Sequence, residues 1–192
     1  KQSPIGTRNG KHWLPPECDV SIRPGWFWHA EENARVKTPG ELMDLYYESV
    51  GRGASFLLNV PPDRRGQLHD ADVNSLREFG DLRAATFTAN LATGAKVSAS
   101  NTRANSPGFS ARNLVDGDRN TYWATDDRVT EANVTFEFRR PQTFNIIRIR
   151  EAIGLGQRVA GIAIDSSNNG NWEKIGEATS IGNCRLIRLK NY

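Results

Sequence analysis

The stretch from residue 13 to residue 29 concentrates the side chains of this chain that could do chemistry. It contains three tryptophans together with a glutamate, an arginine and a histidine. Tryptophan rings pack on the apolar C–H faces of a pyranose, while carboxylate, guanidinium and imidazole groups hydrogen-bond its hydroxyls. We therefore predict a sugar-binding site here, with these candidate contacts: Trp26, Glu17, Arg23, His29 and Trp28.

Glu17 and Arg23 each have two interpretations. If Glu17 is buried among Trp13, Trp26 and Trp28, their apolar surfaces raise the pKa of its carboxyl group and make it a candidate general acid. Alternatively, Glu17 pairs with Arg23 or a neighbouring loop and orients the pocket. Arg23 could bridge carboxylates or hold a substrate hydroxyl, and the sequence does not separate these two roles.

The three remaining candidates also have ordinary structural explanations. Trp26 could be a packing residue, and Trp28, if it lies on a strand, fits a core position. A single histidine such as His29 is more often a satisfied hydrogen-bonding group than a catalyst. For each of these three residues, substrate contact and a structural role therefore both stay open.

The elements that must position this stretch follow it directly. Thr38-Pro39-Gly40-Glu41 predicts a helix start with a capping box, and the apolar run Phe56–Val60 before a double proline predicts a buried strand. A second helix is expected from Asp70. The order loop, helix, strand, helix indicates parallel α/β architecture, in which side chains at the carboxyl ends of strands, such as Asn59, point into the site. The apolar positions of the two helices are Leu42, Leu45, Tyr46 and Val50, then Val73, Leu76, Phe79 and Leu82.

The pattern changes near residue 86. Short runs with period-two alternation then follow one another between clusters of Gly, Asn, Asp and Ser, which is typical of an antiparallel β-sandwich. We therefore predict two domains, an α/β domain over 1–86 and a β-sandwich over 87–192 that is truncated at its end. The predicted strands are Val97–Ser100, Val134–Phe138, Phe144–Ile149, Arg158–Ile164, Trp172–Ile175 and Arg185–Leu189.

The charge distribution of the chain limits the classes of partner that we expect. The net charge of +3 arises from scattered arginines and acids, without a block of like charge, so we expect neither nucleic acid nor a membrane as partner. The chain of 192 residues has two cysteines, Cys18 and Cys184, which excludes a disulfide framework. Neither half forms a complete domain, and the chain starts in mid-pattern, so we expect another segment to complete it.

One turn in the second half is a candidate metal site. Asp116, Asp118 and Thr121 offer several hard oxygen ligands within six residues, which suits calcium when backbone carbonyls complete the coordination. The alternative is a plain Asp-Gly turn without a metal. The sequence weighs these two possibilities about equally.

Two groups of motifs resemble known families. The Glu17–His29 motif, the helix ending Tyr46-Tyr-Glu-Ser-Val-Gly51 and the Phe-Leu-Leu-Asn-Val-Pro-Pro strand resemble the end of the catalytic (β/α)8-type barrel in α-L-fucosidases of glycoside hydrolase family 29. Within that family they are most similar to the subfamily that prefers α-1,3/1,4-linked fucose. The run from Asn113 to Thr125 resembles the coagulation factor V/VIII type C (discoidin) domain, an antiparallel jelly-roll sandwich that often follows such barrels.

The resemblance implies part of a retaining, exo-acting glycosidase that removes terminal fucose from a fucosylated glycan. In the family, both catalytic carboxylates precede the position of Lys1. We therefore expect none in this chain, with Glu17 as the minority candidate for acid/base, and we expect the missing N-terminal barrel segment to be the partner that supplies them. Trp26 matches an aromatic that lines the pocket for the fucose C5 methyl.

The same resemblance implies no cofactor for catalysis, a possible structural calcium, and a periplasmic or secreted location. The alternative function is a non-catalytic carbohydrate-binding module or a pseudo-enzyme fragment. Residues 10–86 favour the hydrolase, because a pure binding module has no use for the end of a barrel that carries an aromatic site motif.

Overall fold

The computed structural model describes residues 11, 12, 14, 16–168 and 170–189. The chain falls into two compact units. The first runs to Thr88 and also includes Cys184–Leu186, and the second begins at Ala89 and includes the rest. Each unit is described by itself below.

The first unit alternates parallel strands and helices. Strands β1 and β2 pair in parallel, with Glu17 opposite Ser55 at one end and Ser21 opposite Asn59 at the other. The carboxyl ends of both strands therefore meet at Ser21 and Asn59. In chain order the elements are β1 (Glu17–Ser21), a 3-10 helix (Ala30–Arg35), α1 (Pro39–Glu48), a 3-10 turn (Val50–Arg52), β2 (Ser55–Asn59) and α2 (Asp70–Thr86).

The start of α1 confirms the predicted capping box. The Thr38 side chain accepts a hydrogen bond from the backbone N–H of Glu41, and the Glu41 carboxylate accepts one from the backbone N–H of Thr38 at 2.8 Å. The backbone N–H and the hydroxyl of Thr38 both donate to this carboxylate and lower the pKa of Glu41. Leu42 is fully buried one residue later, so the cap fixes the register in which the apolar face of α1 packs.

The two faces of the β1–β2 sheet differ. Cys18 and Phe56 lie on the face that is partly buried, while Asp19 and its partner Leu57 lie on the opposite face and are exposed. Leu57 is 50 % exposed. An apolar side chain at the centre of a strand is normally covered in a folded domain, so this open face is where further structure is expected.

Two predictions about the first unit are wrong. Residues 17–21 form a strand, although this stretch was predicted to be a loop, because their alternation spans only five residues. In α2 the buried residues are Asp72 and Ser75, whereas Leu82 of the predicted apolar stripe is 40 % exposed. Asp72 is buried because it pairs with an arginine of the same unit, while the other predicted positions, Val73, Leu76 and Phe79, are partly buried.

The second unit is built of short strands, as predicted. Strands β3 (Lys96–Ala99) and β4 (Val134–Glu137) are antiparallel, and so are β6 (Ile162–Asn168) and β7 (Asn171–Ala178). In the described part of the chain these pairs form two-stranded sheets, so the β-domain is present without one large sheet. The remaining strands are β5 (Ile146–Ile149) and β8 (Arg185–Arg188), and Arg185 and Leu186 of β8 belong to the first unit. Among the described residues, no helix has the length and apolar character required to cross a bilayer.

Candidate functional site

The loop of residues 22–29, which follows β1 and is called here the Trp26 loop, carries most of the predicted site residues. The Trp26 side chain is 52 % exposed and that of Phe27 is 77 % exposed. Trp28 is half-buried and His29 is exposed. Since sites of parallel α/β proteins form at the carboxyl ends of strands, this loop lies at the expected edge of the sheet.

The backbone of the Trp26 loop is fixed to the ends of both strands. The Ser21 hydroxyl donates to the carbonyl of Gly25 at 2.6 Å, and the Asn59 side-chain amide donates to the carbonyl of Trp26 at 2.9 Å. The same amide donates to the Ser21 hydroxyl oxygen at 3.2 Å. The indole of Trp26 is therefore exposed on a backbone that is held at two successive carbonyls.

Arg23 takes the bridging role rather than the substrate-binding one. Its side chain is 0 % exposed and donates to both oxygens of Asp72, with Nη2 to Oδ2 at 2.6 Å and Nε to Oδ1 at 3.0 Å. Its guanidinium also donates to Asn33 Oδ1 at 3.1 Å and to the carbonyl of His29 at 3.3 Å. Because the guanidinium exposes no surface to a hydroxyl, the geometry favours the bridging role, and contact between Arg23 and substrate stays an untested prediction.

Glu17 lies at the opposite end of β1. Glu17 lies four positions before Ser21, which is about 13 Å along a strand, and it is exposed. The carboxylate partner of Arg23 is Asp72, so the predicted Glu17–Arg23 pair is wrong. The burial that a general-acid role would need is not present among the described residues, and Trp13 lies outside them. Contact between Glu17 and substrate stays a prediction.

Trp28 and His29 do not lie on a strand. Trp28 lies just before the 3-10 helix, its ring centroid is 6.3 Å from that of His69, and its Nε1 is buried without a hydrogen-bond partner among the described residues. The carbonyl of His29 accepts from Arg23 and from the backbone of Glu32. The substrate contacts of Trp26, Trp28 and His29 remain predictions, and of the three the indole of Trp26 is the one presented most openly on fixed backbone.

Sequence reasoning missed the residues that hold the Trp26 loop. Asp72 lies 49 positions after Arg23 and, in the first turn of α2, has the ordinary signature of a carboxylate at a helix N-terminus. Asn33 and Ser21 have no distinctive pattern either. A buried arginine requires a carboxylate partner, but the sequence does not say which of the acids supplies it.

The turn after β2 is closed by Asp63. Its carboxylate accepts from the Arg65 backbone N–H at 2.8 Å and from Arg65 Nη2 at 2.6 Å, and its side chain is 5 % exposed. The hydrogen bond from the Arg65 side chain lowers the pKa of Asp63. The turn that leads from β2 toward α2 is therefore charge-dependent.

We expect Asp63→Asn to reduce stability at neutral pH and to have a much smaller effect in acid. A depressed folded-state pKa contributes stability above the unfolded value of about 3.9, and that contribution is lost as pH falls through the folded-state pKa. Urea unfolding of wild type and variant at pH 7 and at about pH 3 measures the difference. An equal difference at both pH values would contradict the charge dependence of this turn.

The predicted metal ligands form a turn closed by its own hydrogen bonds. Asp116 Oδ2 accepts from the Thr121 hydroxyl at 2.6 Å, and Asp116 Oδ1 accepts from the Asp118 backbone at 2.9 Å. These bonds lower the pKa of Asp116, and Gly117 between the two aspartates has a φ of 81°. Among the described residues, no group of three or more His, Cys, Asp or Glu could hold a metal ion. The geometry fits the Asp-Gly turn, and calcium stays a prediction.

Comparison with known proteins matches two family models to this chain. Residues 4–85 match the family model for alpha-L-fucosidase, and residues 96–189 match that for the F5/8 type C domain. Alpha-L-fucosidase 1 of Arabidopsis thaliana is 41 % identical over 189 residues, which cover 97 % of this chain and 37 % of the plant protein.

Solved structures of fucosidases are also similar to this chain. A Ruminococcus gnavus GH29 fucosidase in complex with fucose is 36 % identical, with a TM-score of 0.89 over 96 % of this chain and 37 % of that one. A glycoside hydrolase 29 family member from an unknown rumen bacterium is 33 % identical, with a TM-score of 0.74 over 97 % of this chain and 30 % of its own. The chain therefore spans well under half the length of these relatives.

Proposed function

Since this chain belongs to the alpha-L-fucosidase family, GH29, and carries an F5/8 type C domain, we propose that it is the C-terminal part of a retaining, exo-acting α-L-fucosidase. The enzyme hydrolyses terminal fucose from oligosaccharides or glycoconjugates. The rest of the protein supplies the nucleophile and the acid/base, two carboxyl groups about 5 Å apart.

The observation that carries this proposal is the exposed indole of Trp26 at the carboxyl ends of two parallel strands. Its exposed ring offers an apolar wall to the C5 methyl of fucose, and the hydrogen bonds to the carbonyls of Gly25 and Trp26 hold the backbone that carries the ring. Because this backbone is already held, ligand binding does not require the loop to be ordered first.

The first unit is proposed to be the end of a (β/α)8 barrel. Its open sheet face, with Asp19 and Leu57 exposed, is the face that the other strands of a barrel would cover. The preceding segment of the same protein is the partner proposed for that face. The second unit is proposed to complete a discoidin-like jelly roll, which the short antiparallel pairs support.

The proposed function also carries expectations about the location of the protein, its cofactors and a structural metal. We also propose a periplasmic or secreted location, which a fucosylated glycan as substrate would favour. Hydrolysis through two carboxylates requires no cofactor. A structural calcium at Asp116, Asp118 and Thr121 would be held by the oxygens of these three residues, which lie within six positions of one another, together with backbone carbonyls.

The test uses the full-length protein and the 192-residue chain side by side. Release of 4-nitrophenol from its α-L-fucoside and of fucose from a branched Lewis-type trisaccharide is measured for both. We expect the full-length protein to act, with preference for the trisaccharide, and the isolated chain to be inactive. Activity of the isolated chain would contradict the expectation that both catalytic carboxylates lie outside it and would make Glu17 the first acid/base candidate, and an inactive full-length protein would favour the non-catalytic carbohydrate-binding module or pseudo-enzyme.

A further inference from the structure

We propose that Asp72 of α2 is a positioning residue for the sugar site, acting through Arg23 on the Trp26 loop. Asp72 is 0 % exposed, so it touches no substrate itself. The proposal rests on the proposed function for the identity of the ligand. The connection from Asp72 to the loop rests on the contacts alone.

The first step is that Arg23 joins three parts of the unit. It lies within the Trp26 loop, and its guanidinium reaches Asp72 on α2, Asn33 on the 3-10 helix and the carbonyl of His29 at the end of the loop. A planar guanidinium that binds a carboxylate through two nitrogens has a single orientation. Asp72 therefore fixes the orientation of the Arg23 guanidinium, which in turn donates to the carbonyl of His29 at the end of the loop.

The second step concerns what the loop presents. Lys37 Nζ donates to the carbonyl of Ser21 at 2.7 Å, and the Lys37 backbone N–H donates to the carbonyl of Ile22 at 2.9 Å. The hydrogen bonds from Lys37, Ser21 and Asn59 all involve acceptors within residues 21–29. The indole of Trp26, in contrast, is half exposed, so the contacts hold its backbone and leave its ring for a ligand.

The third step is the consequence of losing the carboxylate. Without Asp72 the guanidinium is buried with its main acceptor gone, and it can recover a partner only by moving. Such movement shifts the backbone that carries Trp26, and a misplacement of about 1 Å at a binding site costs up to about 100-fold in rate. A residue remote from the substrate can therefore control its binding.

The variants are made in the full-length protein and assayed on the aryl fucoside. Asp72→Asn is expected to lower kcat/KM by about 10- to 100-fold, mainly through a higher KM, because a misplaced ring weakens binding of substrate and transition state alike. Asp81→Asn is the matched control, since Asp81 lies on the same helix, is exposed and undergoes the same loss of charge. It should behave as wild type.

A double-mutant cycle separates positioning from general destabilisation. In a Trp26→Ala background, Asp72→Asn is expected to cost only a few-fold more, because there is no ring left to misplace. Fully multiplicative losses would overturn the proposal. If Asp72→Asn does not fold, Asn33→Ala replaces it in the cycle, since it removes one hydrogen bond of 3.1 Å to Arg23 and leaves the ion pair.

Hydrogen exchange supplies a readout that does not depend on the substrate. Amide exchange of residues 22–29 should be about tenfold faster in Asp72→Asn than in Asp81→Asn. Unchanged exchange would overturn the positioning role whatever the enzyme acts on. Faster exchange in a full-length protein that cleaves no fucoside would support the role of Asp72 and refute the proposed function.

Discussion

Replacing Trp26 with alanine is expected to lower kcat/KM for an aryl α-L-fucoside by roughly 50-fold. The ring is 52 % exposed in the free chain, and a sugar that covers the open half buries about 100 Å² at about 25 cal/mol per Å², or about 2.5 kcal/mol. Because the wall contacts substrate and transition state alike, most of the loss should appear in KM. Steady-state kinetics of the full-length variant measure this split.

Trp172→Ala is the matched control for this prediction. Trp172 is 64 % exposed and lies on β7 of the second unit, so the same truncation removes an equally open indole far along the chain from the Trp26 loop. Kinetics on the small aryl fucoside should be unchanged. A loss of less than threefold for Trp26→Ala would mean that Trp26 is a packing residue and that the apolar wall lies elsewhere.

The parts of the fold that the sequence predicted are those with local causes. The capping box of Thr38 and Glu41 needs only four consecutive residues, and the strand Ser55–Asn59 is bounded by prolines that follow it directly. Both were therefore predictable to within a residue. The strand Glu17–Ser21 has no such local signature. Its five residues form a strand because they pair with β2, which is distant in the sequence.

The residues of the candidate site also differ in how far the sequence alone predicts their roles. Trp26 was proposed from its residue type and motif, and the structure exposes its side chain, while its contact with a ligand stays a prediction. The role of Arg23 was not identifiable, because a buried guanidinium and a substrate-binding one have the same sequence signature. The deciding contact, Asp72, is 49 positions away and depends on how α2 packs, which is a property of the folded unit.

Breaking the Arg23–Asp72 pair from one side is expected to cost more stability than removing it altogether. Both side chains are 0 % exposed. Asp72→Asn leaves an uncompensated buried charge and should reduce the free energy of unfolding by about 3–5 kcal/mol. The double replacement Arg23→Met with Asp72→Leu removes both charges, keeps apolar volume, and should cost clearly less. Denaturant unfolding of the full-length variants measures both values.

The comparison also separates stability from positioning. Arg23→Met with Asp72→Leu should recover much of the stability yet lose the hydrogen bonds to Asn33 and the carbonyl of His29, so kcat/KM should remain low. A double variant that recovers both stability and activity would mean that the ion pair only fills the core. A double variant that is stable but still has a low kcat/KM would show that Arg23 and Asp72 orient the Trp26 loop. The pair would then serve positioning, even though burying its two charges is costly.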